Sequence, residues 1–145
     1  MSDTILSDGI ITIRLEKIYN SAGKYRYVTH YFGIYQADSV RRIGYTDLRV
    51  GNNYYLDYLG HVGYRILQPY RGHSYAYRAV CLLFEYARQI GFTKLLITCN
   101  PDNIPSRKTL DKLNGECLGN KEIPNDHPLK NEKTKRIYYY DLEKR

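Results

Sequence analysis

A chain of 145 residues with 43% hydrophobic residues and a formal net charge of +7 is long enough to close a core without metal or disulfide staples. Its apolar content excludes wholesale disorder, and its length argues for a single domain over residues 1–145. The positive charge fits a polyanionic partner, either nucleic acid or a polyphosphate ligand.

In chain order, Ile10–Leu15 is β-rich and partly alternating and predicts a strand. Asn20–Gly23 is a turn cluster. Tyr25–Tyr35, rich in aromatic and β-branched residues, predicts a second strand, ended by Gln36–Ser39. Arg42–Val50 predicts a third strand, and Gly51–Asn53 a turn. Tyr54–Tyr58 extends a hairpin on this reading, and His61–Leu67 is the next strand. Successive strands with short turns imply an antiparallel meander.

The period then changes. Ala76, Ala79, Val80, Leu83, Ala87 and Ile90 form the stripe of a helix packed on a sheet, with Gly91 placed to end it. Lys94–Cys99 is a nearly continuous apolar strand, which completes a strand–helix–strand crossover. Asn100–Asn103 is a turn, and Pro105 belongs in the first turn of a short helix with Ile104, Leu110 and Leu113 on its apolar side. Asn114-Gly115 stops it, and Glu116–Leu118 is a brief strand. Residues Gly119–Lys135 form a long polar loop, and Arg136–Leu142 the last strand. There is no repeat, low-complexity tract or linker.

Seventeen tyrosines and no tryptophan suit a sheet whose half-buried rings pack while their hydroxyls reach water. Cys81, Cys99 and Cys117 form no Cys-x-x-Cys pair; they are expected to pack as small hydrophobes, and no metal site is expected. The N-terminus lacks a secretory pattern and no apolar run is long enough to cross a membrane, so the expected location is cytoplasmic, without membrane association.

The most informative stretch is Arg71-Gly72-His73-Ser74-Tyr75-Ala76, between a strand and a long helix. A strand that turns through glycine into a helix leaves backbone N–H groups unpaired, and the helix dipole adds about half a positive charge there. Together they make a seat for a phosphate or pyrophosphate. From Arg65 to Lys112, eight basic residues face three acidic ones, so this window carries +5 of the +7.

Tyr64 to Ala76 resembles the cofactor motif of the GNAT superfamily of N-acetyltransferases, Q/R-x-x-G-x-G/A. Arg71 and Ala76 match its ends, and Ser74 stands where glycine is usual. Thr98–Lys108 with Leu113-Asn114-Gly115 resembles the family's second cofactor segment, in which Asn103 and Ser106 open a short helix. The resemblance covers about residues 40–142; after the first strand, Tyr19–Lys24 leaves room for a turn where the family places two helices. It implies an α/β (α+β) fold: a mixed, mainly antiparallel sheet with a parallel, splayed strand pair (His61–Leu67 and Lys94–Cys99) and flanking helices. It implies acetyl-CoA as co-substrate. The pantetheine arm would pair with the backbone near Tyr64 and Ile66, and the pyrophosphate would sit on Arg71, Gly72, His73, Ser74, Tyr75 and Ala76. Asn103 and Ser106 would lie near the thioester end, and Arg107, Lys108 or Arg78 would meet the remaining phosphate. Ser74 would need a φ/ψ different from glycine's, or a hydroxyl contact to phosphate.

The implied reaction is acetyl transfer to a primary amine, of a small molecule or a peptide, in a ternary complex. An ammonium must lose a proton before it attacks, the oxyanion needs a donor, and the thiolate can take a proton. His61 is the candidate base, since histidine titrates in the useful range; its bland reading is a structural histidine. The Ile66 N–H is the oxyanion donor. The family's helix tyrosine is missing from Thr109-Leu110-Asp111, so Tyr139, one of three tyrosines on the last strand, is the candidate acid against plain core packing. Cys99 reads as buried rather than acylated, and Asp47 and Asp57 as solvated residues that can also attract a cationic amine. Two alternatives stand beside this reading: a basic nucleic-acid-binding module, which lacks any RNP-like, helix-turn-helix or zinc signature, and a GNAT-like domain that binds acyl-CoA without turnover. A homodimer is left open, and the acceptor is not readable.

Overall fold

Alternation decides which face of the first sheet is buried. In the computed structural model, which describes residues 3–145, β1 (Ile5–Ser7), β2 (Ile11–Asn20), β3 (Val28–Gln36), β4 (Arg42–Val50) and β5 (Val62–Ile66) form an antiparallel meander in that order, with α1 (Leu56–Leu59) between β4 and β5. Ile11, Ile13, Phe32, Ile34, Leu48, Val62 and Ile66 point to one face and are buried there. They meet α2 (Tyr75–Gln89), whose Ala79, Val80, Leu83, Phe84 and Ala87 form the complementary stripe. The helix ends as its sequence dictates: Gly91 has φ +107°, and the Phe92 N–H reaches back to the Ala87 carbonyl.

The chain returns as β6 (Lys94–Cys99), followed by α3 (Ile104–Lys112), β7 (Glu116–Glu122) and β8 (Thr134–Asp141). These strands form a second antiparallel sheet in the order β6–β8–β7. Its Leu95, Ile97, Tyr138 and Tyr140 join the same apolar core. β5 and β6 run side by side in the same direction, as a helical crossover requires. They are tied at one end, where the His61 N–H donates to the Leu96 carbonyl over 2.8 Å, and they form no ladder with each other beyond it.

The opposite face of the five-stranded sheet carries no helix among the described residues. The reason is the short link between β2 and β3, where Ser21 closes a tight hairpin by bonding Tyr25 and Tyr27.

Four expectations are corrected. Tyr54–Tyr58 does not extend a hairpin: Asn53 Oδ1 accepts from the Leu56 N–H and closes a turn that leads into α1 instead. The loop expected over Gly119–Lys135 is shorter, because β7 runs on to Glu122 and β8 begins at Thr134. Cys117 lies on β7, an edge strand, and is exposed rather than packed. The first strand runs on to Asn20 through a bulge at Glu16. Among the described residues no helix is long and apolar enough to cross a membrane.

Candidate functional site

The edge of β5 that faces β6 is the starting point. The Arg49 N–H donates to the His61 carbonyl and the Leu67 N–H to that of Ile43. Antiparallel bonding alternates, so the odd-numbered residues of β5 are spent on β4, and Tyr64 and Ile66 aim their backbone N–H groups at the gap. The gap widens into a cleft of about 530 Å³, walled by β5 on one side and the start of α3 on the other and floored by the turn into α2.

That turn is built for an anion. Gly72 has φ +92° with nothing within 4 Å of where a Cβ would sit. Ser74 adopts the left-handed conformation itself, φ 60° and ψ 25°, so the turn keeps the backbone of a glycine rather than a different one. The conformation costs roughly 1–2 kcal/mol in a residue with a Cβ. Ser74 is the N-cap of α2, yet its side chain accepts no capping hydrogen bond from the helix. The first N–H groups of a 15-residue helix therefore open on the cleft, with the positive end of its dipole. Lys112 Nζ lies 3.4 Å from Ser74 Oγ and adds positive charge at the rim. Arg71 folds back instead: its Nε donates to the Ile66 carbonyl over 2.9 Å and fixes the turn to the end of β5. Arg78 is held by Asp8 at 3.0 Å, and Arg107 donates to the Pro101 carbonyl.

Across the cleft, Asn103 caps α3 by accepting from the Ser106 N–H through Oδ1. That leaves its Nδ2 group free to donate. The Tyr64 hydroxyl reaches across to Ser106 Oγ at 3.2 Å. Burial pushes the Tyr64 phenol up, against the opposing pull of its bonds to Ser106 and Thr109, so it stays protonated at neutral pH. Cys99 stands near; burial raises its thiol despite Arg136, Lys135 and Arg107, which leaves it a poor nucleophile.

The cleft thus brings together Tyr64, Ile66, Arg71, Gly72, Ser74, Tyr75, Ala76, Asn103 and Ser106. His73 is exposed beside them, its ring 5.3 Å from that of Tyr75 and off the cleft wall. Sequence reasoning missed Arg65, Tyr70, Pro105 and Thr109, which complete the lining; the position of Thr109 one helical turn after Ser106 was the available signal.

The two catalytic candidates stand elsewhere. His61 is 7% exposed, with Nδ1 accepting from the Leu96 N–H at 3.0 Å and Nε2 3.1 Å from the Gly51 carbonyl. A nitrogen facing a carbonyl must carry the proton, so neither nitrogen keeps a free lone pair for base work. Burial holds His61 below its ordinary pKa. It stitches β5 to β6. Tyr139 points to the face opposite Tyr138 and Tyr140, since successive strand residues alternate. Both candidates line a separate hollow of about 580 Å³ at the end of α2 remote from the turn. Tyr138 and Tyr140 face inward, bonding the Asp111 carboxylate at 2.8 Å and the Leu110 carbonyl at 2.7 Å. Among the described residues no group of three His, Cys, Asp or Glu stands close enough to hold a metal ion.

Residues 7–116 match the family model described as an acetyltransferase (GNAT) domain. The match takes in the N-terminal hairpin that the cofactor motifs leave out. No curated protein sequence matches the chain. Among solved structures the chain is similar to the apo form of RimL, a ribosomal L7/L12 alpha-N-protein acetyltransferase, with a TM-score of 0.67, 11% identity, 97% of this chain and 96% of that chain covered. It is similar to the microcin C7 self immunity acetyltransferase MccE, solved with acetyl-CoA and AMP, with a TM-score of 0.59, 17% identity, and 78% and 61% covered. It is also similar to a GNAT-family acetyltransferase from Bacillus anthracis, with a TM-score of 0.60, 18% identity, and 78% and 66% covered. At these identities the likeness is one of fold. The chain spans less than two thirds of the length of the last two.

Proposed function

The chain belongs to the GNAT acetyltransferase family, and from that premise we propose that it moves an acetyl group from acetyl-CoA to a primary amine by direct transfer in a ternary complex. One observation carries the reading: an uncapped helix start lies on the floor of a cleft between two strands that part after a single backbone bond.

The pyrophosphate of CoA sits on the N–H groups of Gly72 to Ala76, where the helix dipole favours negative charge. The pantetheine arm pairs with the unspent edge of β5, and the Asn103 Nδ2 group donates to one of its carbonyls. As the amine attacks, negative charge grows on the thioester oxygen, and the Ile66 N–H, aimed at the gap, receives it. The departing sulfur takes its proton from Tyr64, whose buried phenol stays protonated and whose hydroxyl is already held over α3 by Ser106. Tyr64 thus offers from β5 what the stretch Thr109-Leu110-Asp111 of α3, without a tyrosine, does not. His61 and Tyr139 have no part in the step.

The test is a turnover screen of acetyl-CoA against mixed amines, read by free thiol. Thiol release that depends on an amine supports the reading. The missing tyrosine in Thr109-Leu110-Asp111 favours one other reading, an acyl-CoA-binding domain without turnover; tight CoA binding with no thiol release for any amine identifies it.

A further inference from the structure

The helix-free face of the five-stranded sheet is aromatic and cationic rather than aliphatic. The ladders pair Lys17 with Tyr31, Tyr35 with Arg42 and, on either side of Gly33, Arg14 and Tyr45. These residues alternate with the buried Ile13, Phe32, Ile34 and Leu48, so they share the open face. From β2 to β4 that face carries no aliphatic side chain. The rings of Tyr31 and Tyr45 stack on it with centroids 5.6 Å apart, and Tyr19, farther along β2, is 45% exposed. A Cβ at Gly33 would collide with Arg42, Glu16 and Tyr35, so the missing side chain lets these three lie flat across the sheet. Arg14 sits over the Tyr35 ring at 5.2 Å, and Lys17 over the Tyr31 ring at 5.4 Å.

The carboxylates of this face are spent. Both terminal nitrogens of Arg42 donate to Glu16, at 2.7 and 2.8 Å, and the Tyr35 hydroxyl donates to it as well. Asp47 faces Arg49 at 3.5 Å. Arg14 and Lys17 are exposed and have no carboxylate within ion-pair distance among the described residues. The same holds for Lys24 and Arg26, in the link beyond the ends of β2 and β3. Uncompensated positive charge therefore runs along the strands, and from Arg14 to Tyr19 alone it follows about 17 Å of β2.

Rings interleaved with unpaired cations match a flexible polyanion that carries flat groups. Bases stack on aromatic rings and on guanidinium planes, and phosphates meet the cations. A flat sheet enters no groove, so a duplex is a poor match. A second copy of this chain would set cation against cation, and an apolar helix would find no aliphatic seat. The hydroxyls of Tyr19 and Tyr45 can accept from a ribose 2′-hydroxyl, which DNA lacks.

We propose that this face binds single-stranded RNA, with bases on Tyr19, Tyr31 and Tyr45 and phosphates on Arg14, Lys17 and the basic link between β2 and β3. None of these residues lines the cofactor cleft, and the inference stands apart from the acetyl-transfer reading.

The experiment titrates the full chain into a labelled oligouridine of about twelve nucleotides, read by fluorescence anisotropy, with and without excess CoA. Four cations on phosphates predict that the log of the binding constant falls with log salt at a slope of about −3. Arg14→Glu combined with Lys17→Glu is expected to weaken binding by about tenfold or more and to flatten the slope by about 1.4. Tyr19→Leu keeps an apolar side chain without a stacking face, and is expected to weaken binding by about fivefold or more at an unchanged slope. All three side chains are exposed, so both variants are expected to keep the Tm and the CoA affinity of the wild type. Oligodeoxyuridine of the same length is expected to bind less tightly. No binding at low salt, an RNA duplex or the oligodeoxyuridine bound as tightly as the oligouridine, or an affinity that the double variant leaves unmoved overturns the inference. Displacement of the RNA by CoA places it in the cleft and overturns the inference too. So does binding of polyglutamate or phosphatidylserine vesicles without binding of RNA.

Discussion

Gly72 offers the most quantitative test of the turn. Its φ of +92° lies where residues with a Cβ are strained, and no atom stands within 4 Å of a Cβ added there. Gly72→Ala therefore introduces no clash, only a backbone penalty of about 1–2 kcal/mol. That penalty divides between two observables. If the variant keeps the turn, the folded state loses stability by that amount. If the turn relaxes, CoA binding must restore it, and affinity falls by about 5- to 30-fold, since every 1.4 kcal/mol is tenfold. The stability loss and the affinity loss together should come to about 1–2 kcal/mol. Gly72→Pro is harsher: proline fixes φ near −65° and removes the N–H, so CoA binding should disappear. Calorimetric titration with CoA and denaturant unfolding measure the two terms on the same samples. Micromolar affinity retained by the proline variant, or an alanine variant unchanged in both terms, refutes the turn as the pyrophosphate seat.

Further outcomes follow from single residues. Tyr64→Phe should lower kcat by about tenfold with CoA affinity unchanged, because a thiolate can also leave unaided; an unaltered kcat removes Tyr64 from the step. Ser74→Gly relieves the left-handed conformation but adds freedom to the unfolded chain, and should raise Tm by about 1–4 °C. It leaves CoA binding intact, since the backbone N–H remains; a fall in Tm counts against the strain. Burial depresses His61 and His30 in the folded protein. Between the ordinary histidine pKa of about 6.5 and the lower folded value, the unfolded chain binds protons that the native one refuses. Stability should thus be flat above that pH and fall as pH drops below it. In His61→Gln the slope should shrink, with His30 supplying the remainder; identical slopes for wild type and variant contradict the buried, neutral His61.

The antiparallel meander, α2 and the cofactor turn were legible because each has a strong local signal. Period-two alternation marks β2 to β4, the Ala76–Ile90 stripe marks α2, and a glycine between an apolar strand and that stripe marks the turn. Asn103 was legible as a helix cap, although its bonding to Ser106 comes from the fold. β7 was not legible beyond Leu118: it is exposed on both faces, so backbone pairing with β8 holds it and its side chains carry no pattern. Tyr139 was misjudged because three successive tyrosines look alike until the register of β8 fixes which of them face inward. His61 misled for a similar reason. Its residue type suits a base, but its bonds to Leu96 and Gly51 cross between strands that sequence alone does not bring together.

The most direct test of the account is a crystal structure of the protein grown with excess acetyl-CoA. The account predicts the pyrophosphate on the amides of Gly72 to Ala76, the pantetheine arm along Tyr64 and Ile66, and the thioester carbonyl within reach of the Ile66 N–H. Coenzyme bound at another surface, or a cleft without it at saturating concentration, contradicts the assignment.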